Sequence, residues 1–343
     1  MDTVVVNSLL ALIVAFGAAA ALGPLLIPVL GRLNLGQNVR SNGPQSHLVK
    51  QDTPTMGGIL LLLAAALATL LFAHRDYSLA ILSLMMAVLF GLVGFLDDFI
   101  KIYKKRATGM SAWQKIAAQF VFAVLFALVL YFHPSVGSTL WFDRLDLGVF
   151  YIPYAVFVII ATVNSVNLID GADGLAASVT GVYGLFGAMM MSLFVLSFRS
   201  ASFDAEETVL VSQTLDRLSG LSVFAAAVAG SCFGFLIYNA YPAKVFMGDL
   251  GSFMLGGAVA AFALFSRTSL LLPLMGIVYV ITSVSDIVQV GSYKLRHKRV
   301  FKMAPLHHHL ELSGMPESKI VSLYTVVTAV ACAAGLVIFW FCK

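Results

Sequence analysis

Gly94-Phe95-Leu96-Asp97-Asp98-Phe99-Ile100-Lys101 sets two adjacent carboxylates at the end of an apolar run that begins near Leu79. An acidic residue inside a membrane-type segment costs about 2.5–3.5 kcal/mol on insertion scales, so its presence there points to function. Neighbouring carboxylates also repel unless a cation, a shared proton or an ammonium group offsets them. Lys101, Lys104, Lys105 and Arg106 follow directly, which suits a site that holds a metal ion and polyanions together. The plainer alternative has Asp97 and Asp98 merely ending a helix in water, with Asp97 paired to Lys101 one turn on. The rest of the chain weighs against it.

Working outward, a helix needs about 20 apolar residues to cross the roughly 30 Å hydrocarbon core. Ten such runs occur, at about 4–30, 56–73, 79–96, 113–132, 151–166, 174–197, 221–238, 252–266, 269–291 and 321–341. The first lacks a basic n-region and is long, so it reads as an uncleaved span rather than a signal peptide. Hydrophobic residues make up 60% of the chain and charged residues 11%, with a mean hydropathy of +0.93. That balance excludes a soluble two-domain protein of this length and predicts an all-α integral membrane protein of about ten transmembrane helices. Residues 1–343 read as one polytopic domain, with no low-complexity segment and no inverted repeat of the kind many transporters carry. Cys232, Cys332 and Cys342 form neither an even framework nor a CxxC pair and read as small buried hydrophobes.

Ten spans place both termini on one side. The chain has 21 Lys and Arg residues; Arg75, Arg144, Arg199, Arg217 and Arg267 fall in even-numbered loops, Lys343 ends the tail, and the other fifteen fall in odd-numbered loops. By the positive-inside bias the odd loops are cytoplasmic and both termini are outside. The unusual polar residues then gather at the cytoplasmic face. Lys50 and Thr55 close the first loop, Asp97 and Asp98 open the second, and Asn164, Asn167, Asp170 and Asp173 fill the third. Asn239, Lys244 and Asp249 lie in the fourth, His307, His308 and His309 in the fifth. An active-site cleft on that face is the expectation.

Each cluster also has a bland reading. Asn164-Ser-Val-Asn167-Leu-Ile-Asp170-Gly-Ala-Asp173-Gly174 spaces polar groups three residues apart, with glycines that let backbone approach a ligand; a polar Asx/Gly turn is the alternative. In Phe246-Met-Gly-Asp249-Leu-Gly-Ser252, Asp249 is a metal ligand or a helix N-cap, and Phe246 stacks a base or simply packs. Three consecutive imidazoles, His307 to His309, do not converge on one zinc ion from regular structure, so phosphate recognition is the better expectation. Tyr293 to Lys302 reads as a short basic interfacial helix, touching anionic head groups or serving only as an inner-side anchor. Asp286 and Gln289 line the cleft or bond between helices. Walker, GxGxxG and GxSxG patterns are absent from the sequence. Phosphate binding then rests on metal, Lys, His and helix ends.

Together these motifs resemble the polyprenyl-phosphate N-acetylhexosamine-1-phosphate transferase superfamily, over nearly the whole chain from Lys50-Gln-Asp-Thr-Pro-Thr55-Met-Gly-Gly onward. Asp97-Asp98 and Asn167-x-x-Asp170-Gly-x-Asp173-Gly174 are similar to the superfamily pattern. Phe246-Met-Gly-Asp249 and Lys302-Met-Ala-Pro-Leu-His307-His308-His309 resemble its muramoyl branch. The resemblance implies a Mg²⁺-dependent enzyme of the bacterial cytoplasmic membrane. Such an enzyme moves phospho-MurNAc-pentapeptide from UDP-MurNAc-pentapeptide to undecaprenyl phosphate, giving lipid I and UMP in peptidoglycan synthesis. It also implies a homodimer, and no nucleic-acid partner is expected. The matched positions imply Asp249 as first magnesium ligand, Asp98 beside the metal, and Asp97 deprotonating or orienting the lipid phosphate. Lys50, Lys101 and Lys115 would bind phosphates; Asn239, Phe246 and the Asp173-Gly174 backbone would frame uridine. His307, His308 and His309 would meet the pyrophosphate or sugar, and Thr55, Asn167, Asp170 and Gln289 complete the expected substrate set. A sister enzyme using a UDP-HexNAc without peptide is one alternative. A transporter with an ion relay is another, but it calls for charges deep in several spans, and here they collect at one face.

Overall fold

A computed structural model describes residues 2–32, 53–73, 78–104, 108–141, 145–199 and 205–342, without the side chains of 205–210. Lys50 lies outside the described residues. Each of the ten apolar runs is helical. In order the helices are α1 (Thr3–Arg32), α2 (Gly58–Phe72), α3 (Ser78–Tyr103), α4 (Ala112–Phe132), α5 (Tyr151–Ile169), α6 (Leu175–Arg199), α7 (Ala205–Asn239) and α8 (Gly248–Phe265). Then come α9 (Leu272–Met275), α10 (Ile277–Arg296), α11 (Leu306–Glu311) and α12 (Glu317–Cys342). Two-residue strands, Thr139–Leu140 and Leu145–Asp146, pair antiparallel between α4 and α5. The chain is an all-α integral membrane protein.

Among the described residues eight helices are long and apolar enough to cross a bilayer, or nine if α10 and the segment before it form one span. Two departures from the expected ten follow from length and bending. Helix α2 has 15 residues, about 22 Å at about 1.5 Å per residue, short of the hydrocarbon core. The ninth run is not straight: Ser269–Met275 and Ile277–Arg296 meet at 78°. The basic helix expected over Tyr293–Lys302 is also absent. Helix α10 stops at Arg296, where His297 adopts a left-handed φ of 52°. The Gln289 side chain then captures the loop, its Oε1 accepting from the N–H groups of Val300 and Phe301 at 3.0 Å each. A side chain that binds these amides offers the backbone an alternative to the helical ladder.

Helix α8 is the centre of the bundle, with 94% of its residues buried. Its sequence, Gly-Asp-Leu-Gly-Ser-Phe-Met-Leu-Gly-Gly-Ala-Val-Ala-Ala-Phe-Ala-Leu-Phe, carries little bulk on most sides, and α3, α5 and α2 pack around it. Close backbone approach over small residues is what holds helices together where lipid removes the ordinary hydrophobic drive. The tightest approach is at Gly94 of α3, where a Cβ would stand 2.0 Å from the Asp249 carbonyl oxygen. Helix α1 uses the same device against α7: Ser8, Ala11, Ala15, Ala19 and Gly23 form its buried stripe. A serine chain braces this corner, with Ser222 Oγ 2.9 Å from Ser8 Oγ and 2.8 Å from Ser192 Oγ. The opposite face of α3 exposes Leu92, Leu96 and Phe99, as contact with acyl chains requires.

Gly94→Ala is expected to lower the detergent melting temperature by several degrees or abolish a monodisperse peak, since backbone blocks the new methyl group. Gly17→Ala meets nothing within 4 Å and should be neutral or stabilising by up to about 1 kcal/mol; equal behaviour of the two variants in a thermal-shift assay would contradict this packing.

Candidate active site

The α3–α8 contact at Gly94 sets one turn of each helix side by side, and three carboxylates meet there. Asp97 and Asp98, at 0% and 2% exposure, are buried rather than solvated at a helix end. Asp97 Oδ1 accepts from the Met110 N–H at 2.6 Å. Asp98 Oδ2 accepts from the Leu250 N–H at 3.1 Å, an amide in the first turn of α8, where the helix end favours negative charge. Asp249 also lies in that first turn. It does not cap the helix: Met247 is the N-cap and no side chain caps it. The Asp249 carboxylate instead receives Lys101 Nζ at 2.9 Å, Lys115 Nζ at 2.8 Å and Asn167 Nδ2 at 3.0 Å. Gly248 makes the entry to α8 possible. Its φ is +73°, and a Cβ would lie 2.6 Å from Asp98 Oδ2 and 2.9 Å from Thr55 Oγ1, which also places Thr55 beside the carboxylates.

Lys101 Nζ stands 2.7 Å from Asp97 Oδ2 and 3.2 Å from Asp98 Oδ1, besides its contact with Asp249. Lys115 Nζ stands 3.0 Å from Asp97 Oδ2. A Ser111–Gln114 capping box starts α4 immediately before Lys115, so this lysine enters the cluster from a fixed first turn. One oxygen from each of Asp97, Asp98 and Asp249 lies within 4.8 Å of the others. These are hard oxygen donors with no thiolate or imidazole among them, a set that fits Mg²⁺ and not zinc.

The Asn/Asp motif divides its labour. Asn167 faces the cluster and also donates to Ser252 Oγ at 2.9 Å. Asn164 turns away to Gln119 Oε1 at 2.7 Å and the Ile160 carbonyl at 2.8 Å. Asp173 Oδ2 accepts from the Ala243 N–H at 3.0 Å, and its own N–H donates to Glu317 Oε1 at 2.6 Å. The Gly174 N–H donates to Asn239 Oδ1 at 3.1 Å, while Asn239 Nδ2 donates to the Val245 carbonyl at 2.9 Å. Asp173, Gly174 and Asn239 thus strap the loop after α5 to the loop before α8. Phe246, half-buried, holds the 53–57 segment through backbone bonds from its N–H to Pro54 O at 2.8 Å and from the Gly57 N–H to its carbonyl at 2.9 Å.

The three imidazoles do not converge. His307 is buried against Gly171, where a Cβ would lie 2.3 Å from His307 Nε2 and 3.2 Å from His308 Nε2. His308 Nδ1 lies 3.4 Å from Glu311 Oε2. His309 Nδ1 accepts from the Lys302 N–H at 3.1 Å, and its ring meets Phe301 edge-on at 5.5 Å. Gln289, whose amide is occupied by the Val300–Phe301 backbone, borders a separate cleft of about 520 Å³ with Asp286, Lys294, Arg299 and Lys302. Three groups around the site carried no motif signal: Gln119, Glu317 and the Met110 amide. Ser252 closes the Asp249 motif, one turn beyond that carboxylate, but had no role assigned to it.

The chain matches known proteins over most of its length. Residues 80–267 match the model of glycosyl transferase family 4, and residues 50–62 match signature 1 of the phospho-N-acetylmuramoyl-pentapeptide-transferases. A protein of that name from Thermoanaerobacter sp. (strain X514) is 45% identical over 328 residues, covering 94% of this chain and 96% of the relative. Namesakes from Clostridium perfringens (strain SM101 / Type A) and Clostridium novyi (strain NT) are 41% and 39% identical over 327 residues, covering 94% of both chains in each case.

The Asp170 carboxyl sits beyond the end of α5. Burial first, then the charges of Asp249, Asp98 and Asp173, push its pKa up to about 8. An unfolded Asp loses its proton near pH 4, so the folded state holds the extra proton between about pH 4 and about pH 8. Stability contributed by this group therefore falls as pH rises through that window and is level above it. Asp170→Asn should gain thermal stability over wild type progressively from pH 5 to 8 in chelator-treated detergent, then plateau. A difference that does not vary with pH would contradict the shift.

Proposed function

The chain belongs to the phospho-N-acetylmuramoyl-pentapeptide-transferase family, and from that premise we propose that it transfers phospho-MurNAc-pentapeptide from UDP-MurNAc-pentapeptide to undecaprenyl phosphate. The products are lipid I and UMP, in the first membrane step of peptidoglycan synthesis. The observation that carries the reading is the meeting of Asp97, Asp98 and Asp249 with Lys101 and Lys115 at one end of α3 and α8. This is the equipment phosphoryl exchange needs: charge neutralisation and alignment, for direct attack by the lipid phosphate or for a double displacement through an Asp nucleophile.

Asp249 and Asp98 would hold Mg²⁺, which when bound supplies positive charge to pyrophosphate oxygens. Asp97 accepts the proton of the lipid phosphate or orients it for attack on the β-phosphate. Lys50, Lys101 and Lys115 bind phosphate oxygens, and Thr55, Asn167 and Asp170 line the approach. The strap of Asp173, Gly174 and Asn239, with Phe246, frames the uridine. His307, His308 and His309 serve the sugar and pyrophosphate side, and Gln289 shapes the loop that carries them. The same reading takes ten spans with both termini outside, the cluster facing the cytoplasm of a bacterium, and a homodimer. The lysine and arginine distribution supports the orientation.

Purified protein in detergent with undecaprenyl phosphate and Mg²⁺ is expected to release UMP from UDP-MurNAc-pentapeptide, not from UDP-GlcNAc, and to stop on chelation. Turnover of UDP-GlcNAc instead would keep the chemistry and overturn the substrate. Asp97→Asn should lower kcat by about 10²-fold or more with little change in KM, as loss of a general base does; a rise in KM with kcat intact would remove Asp97 from the chemistry.

A further inference from the structure

The three carboxylates are not equally served by the two lysines. Lys101 Nζ is within 3.2 Å of oxygens from Asp97, Asp98 and Asp249 at once. Lys115 Nζ reaches only Asp97 and Asp249, and it also lies 5.8 Å from the centroid of the Phe253 ring, a cation–π contact that holds it in place. The same three carboxylates each offer one oxygen within 4.8 Å of the others, a spacing that suits a single ion. A dication drawing on these carboxylates competes with Lys101 at all three of them and with Lys115 at only two, and positive charges at contact distance repel.

Charge balance points the same way. Three carboxylates against two ammonium groups leave one negative charge uncompensated in a largely buried site. Adding a dication with both lysines in place leaves the site one positive charge in excess; exchanging Lys101 for the dication leaves none. Lys101 also has a way out. Its side chain is 24% exposed, whereas those of Asp97 and Asp98 are 0% and 1% exposed, so its flexible stem can swing toward the open side without crossing the core; Lys115 is as exposed, at 23%, and it is the Phe253 ring contact that holds it.

We propose that the Lys101 ammonium and the divalent metal occupy the same position by exchange, so that metal entry expels Lys101 toward the open side of the site, where it meets the phosphates of the substrate. This inference rests on the reading of the cluster as a metal site. Lys101 is then the internal counter-ion that keeps Asp97, Asp98 and Asp249 assembled before metal arrives, and metal loading is what presents it to anionic substrate. Lys115 stays with Asp97 and Asp249 in both states.

Two measurements on the full-length protein in detergent, without substrate, test it. The first follows reductive methylation of each lysine by peptide mass spectrometry, with and without saturating Mg²⁺. Lys101 should react several-fold faster with Mg²⁺ and return to its slow rate with EDTA, while Lys115 stays protected. The second counts bound Mn²⁺ by electron paramagnetic resonance. Lys101→Met should tighten Mn²⁺ binding by about tenfold or more, and Lys115→Met, which removes the same unit of charge, should tighten it less. Bound Mn²⁺ with Lys101 labelling unchanged or slowed by metal overturns the exchange and leaves the metal reading standing. Equal tightening by the two variants overturns it as well, because long-range charge alone would then account for both. No bound Mn²⁺ in wild type overturns the metal reading and the exchange together.

Discussion

Everything at this site depends on how closely α3 approaches α8. Gly94 lets the α3 backbone close onto the Asp249 carbonyl oxygen, and only at that separation do side chains as short as aspartate reach one another from two helices. The carboxylates oppose this closeness through mutual repulsion, so the approach is sustained by what surrounds it. Lys101 and Lys115 bridge the charges, and the Leu250 and Met110 amides each donate to one further oxygen, of Asp98 and Asp97. Small residues along α8 supply the dispersion contacts that repulsion would otherwise overcome. Backbone packing and electrostatics are one problem here, and neither solution works without the other.

Much of this was legible in the chain. The ten apolar runs are all helices, and the polar residues singled out at Asp97, Asp98, Lys101, Lys115, Asn167 and Asp249 do come together. They were readable because a charged group in an apolar chain is expensive and therefore conspicuous. What escaped were groups that cost little. Gln119 looks like ordinary packing in a helix, and the Met110 amide has no side-chain signature at all. Glu317 sits where any helix would welcome an acid in its first turn. Continuity was misjudged wherever a side chain or bend interrupts an apolar or basic run. The 78° break before α10 and the Gln289-held loop after Arg296 are tertiary choices that periodicity cannot carry.

The loops divide between shape and chemistry in a way the motif pattern blurs. Asp173 and Asn239 belong to conspicuous polar clusters, yet their side chains are engaged with backbone amides and carbonyls that join two loops. They resemble struts more than reactive groups. Asp170, three residues before Asp173, has its carboxyl pKa pushed up to about 8 by burial and neighbouring charge, while the Asp173 side chain is spent on the Ala243 amide. Such divergence of environment is how one residue type is made to serve several purposes within a few ångströms.

Because α8 is almost wholly enclosed by other helices, the helix bearing Asp249 has scarcely any contact with acyl chains. Changes in bilayer thickness, fluidity or lateral pressure therefore reach Asp249 through the helices packed around α8, or through α4, whose Lys115 bonds its carboxylate. Close-packed interiors resist such deformation far more than lipid does. The carboxylate cluster is in effect mounted on an inner post, with the outer helices absorbing the elastic load. A membrane enzyme built this way keeps its donor spacing constant while its host adjusts lipid composition to temperature or growth.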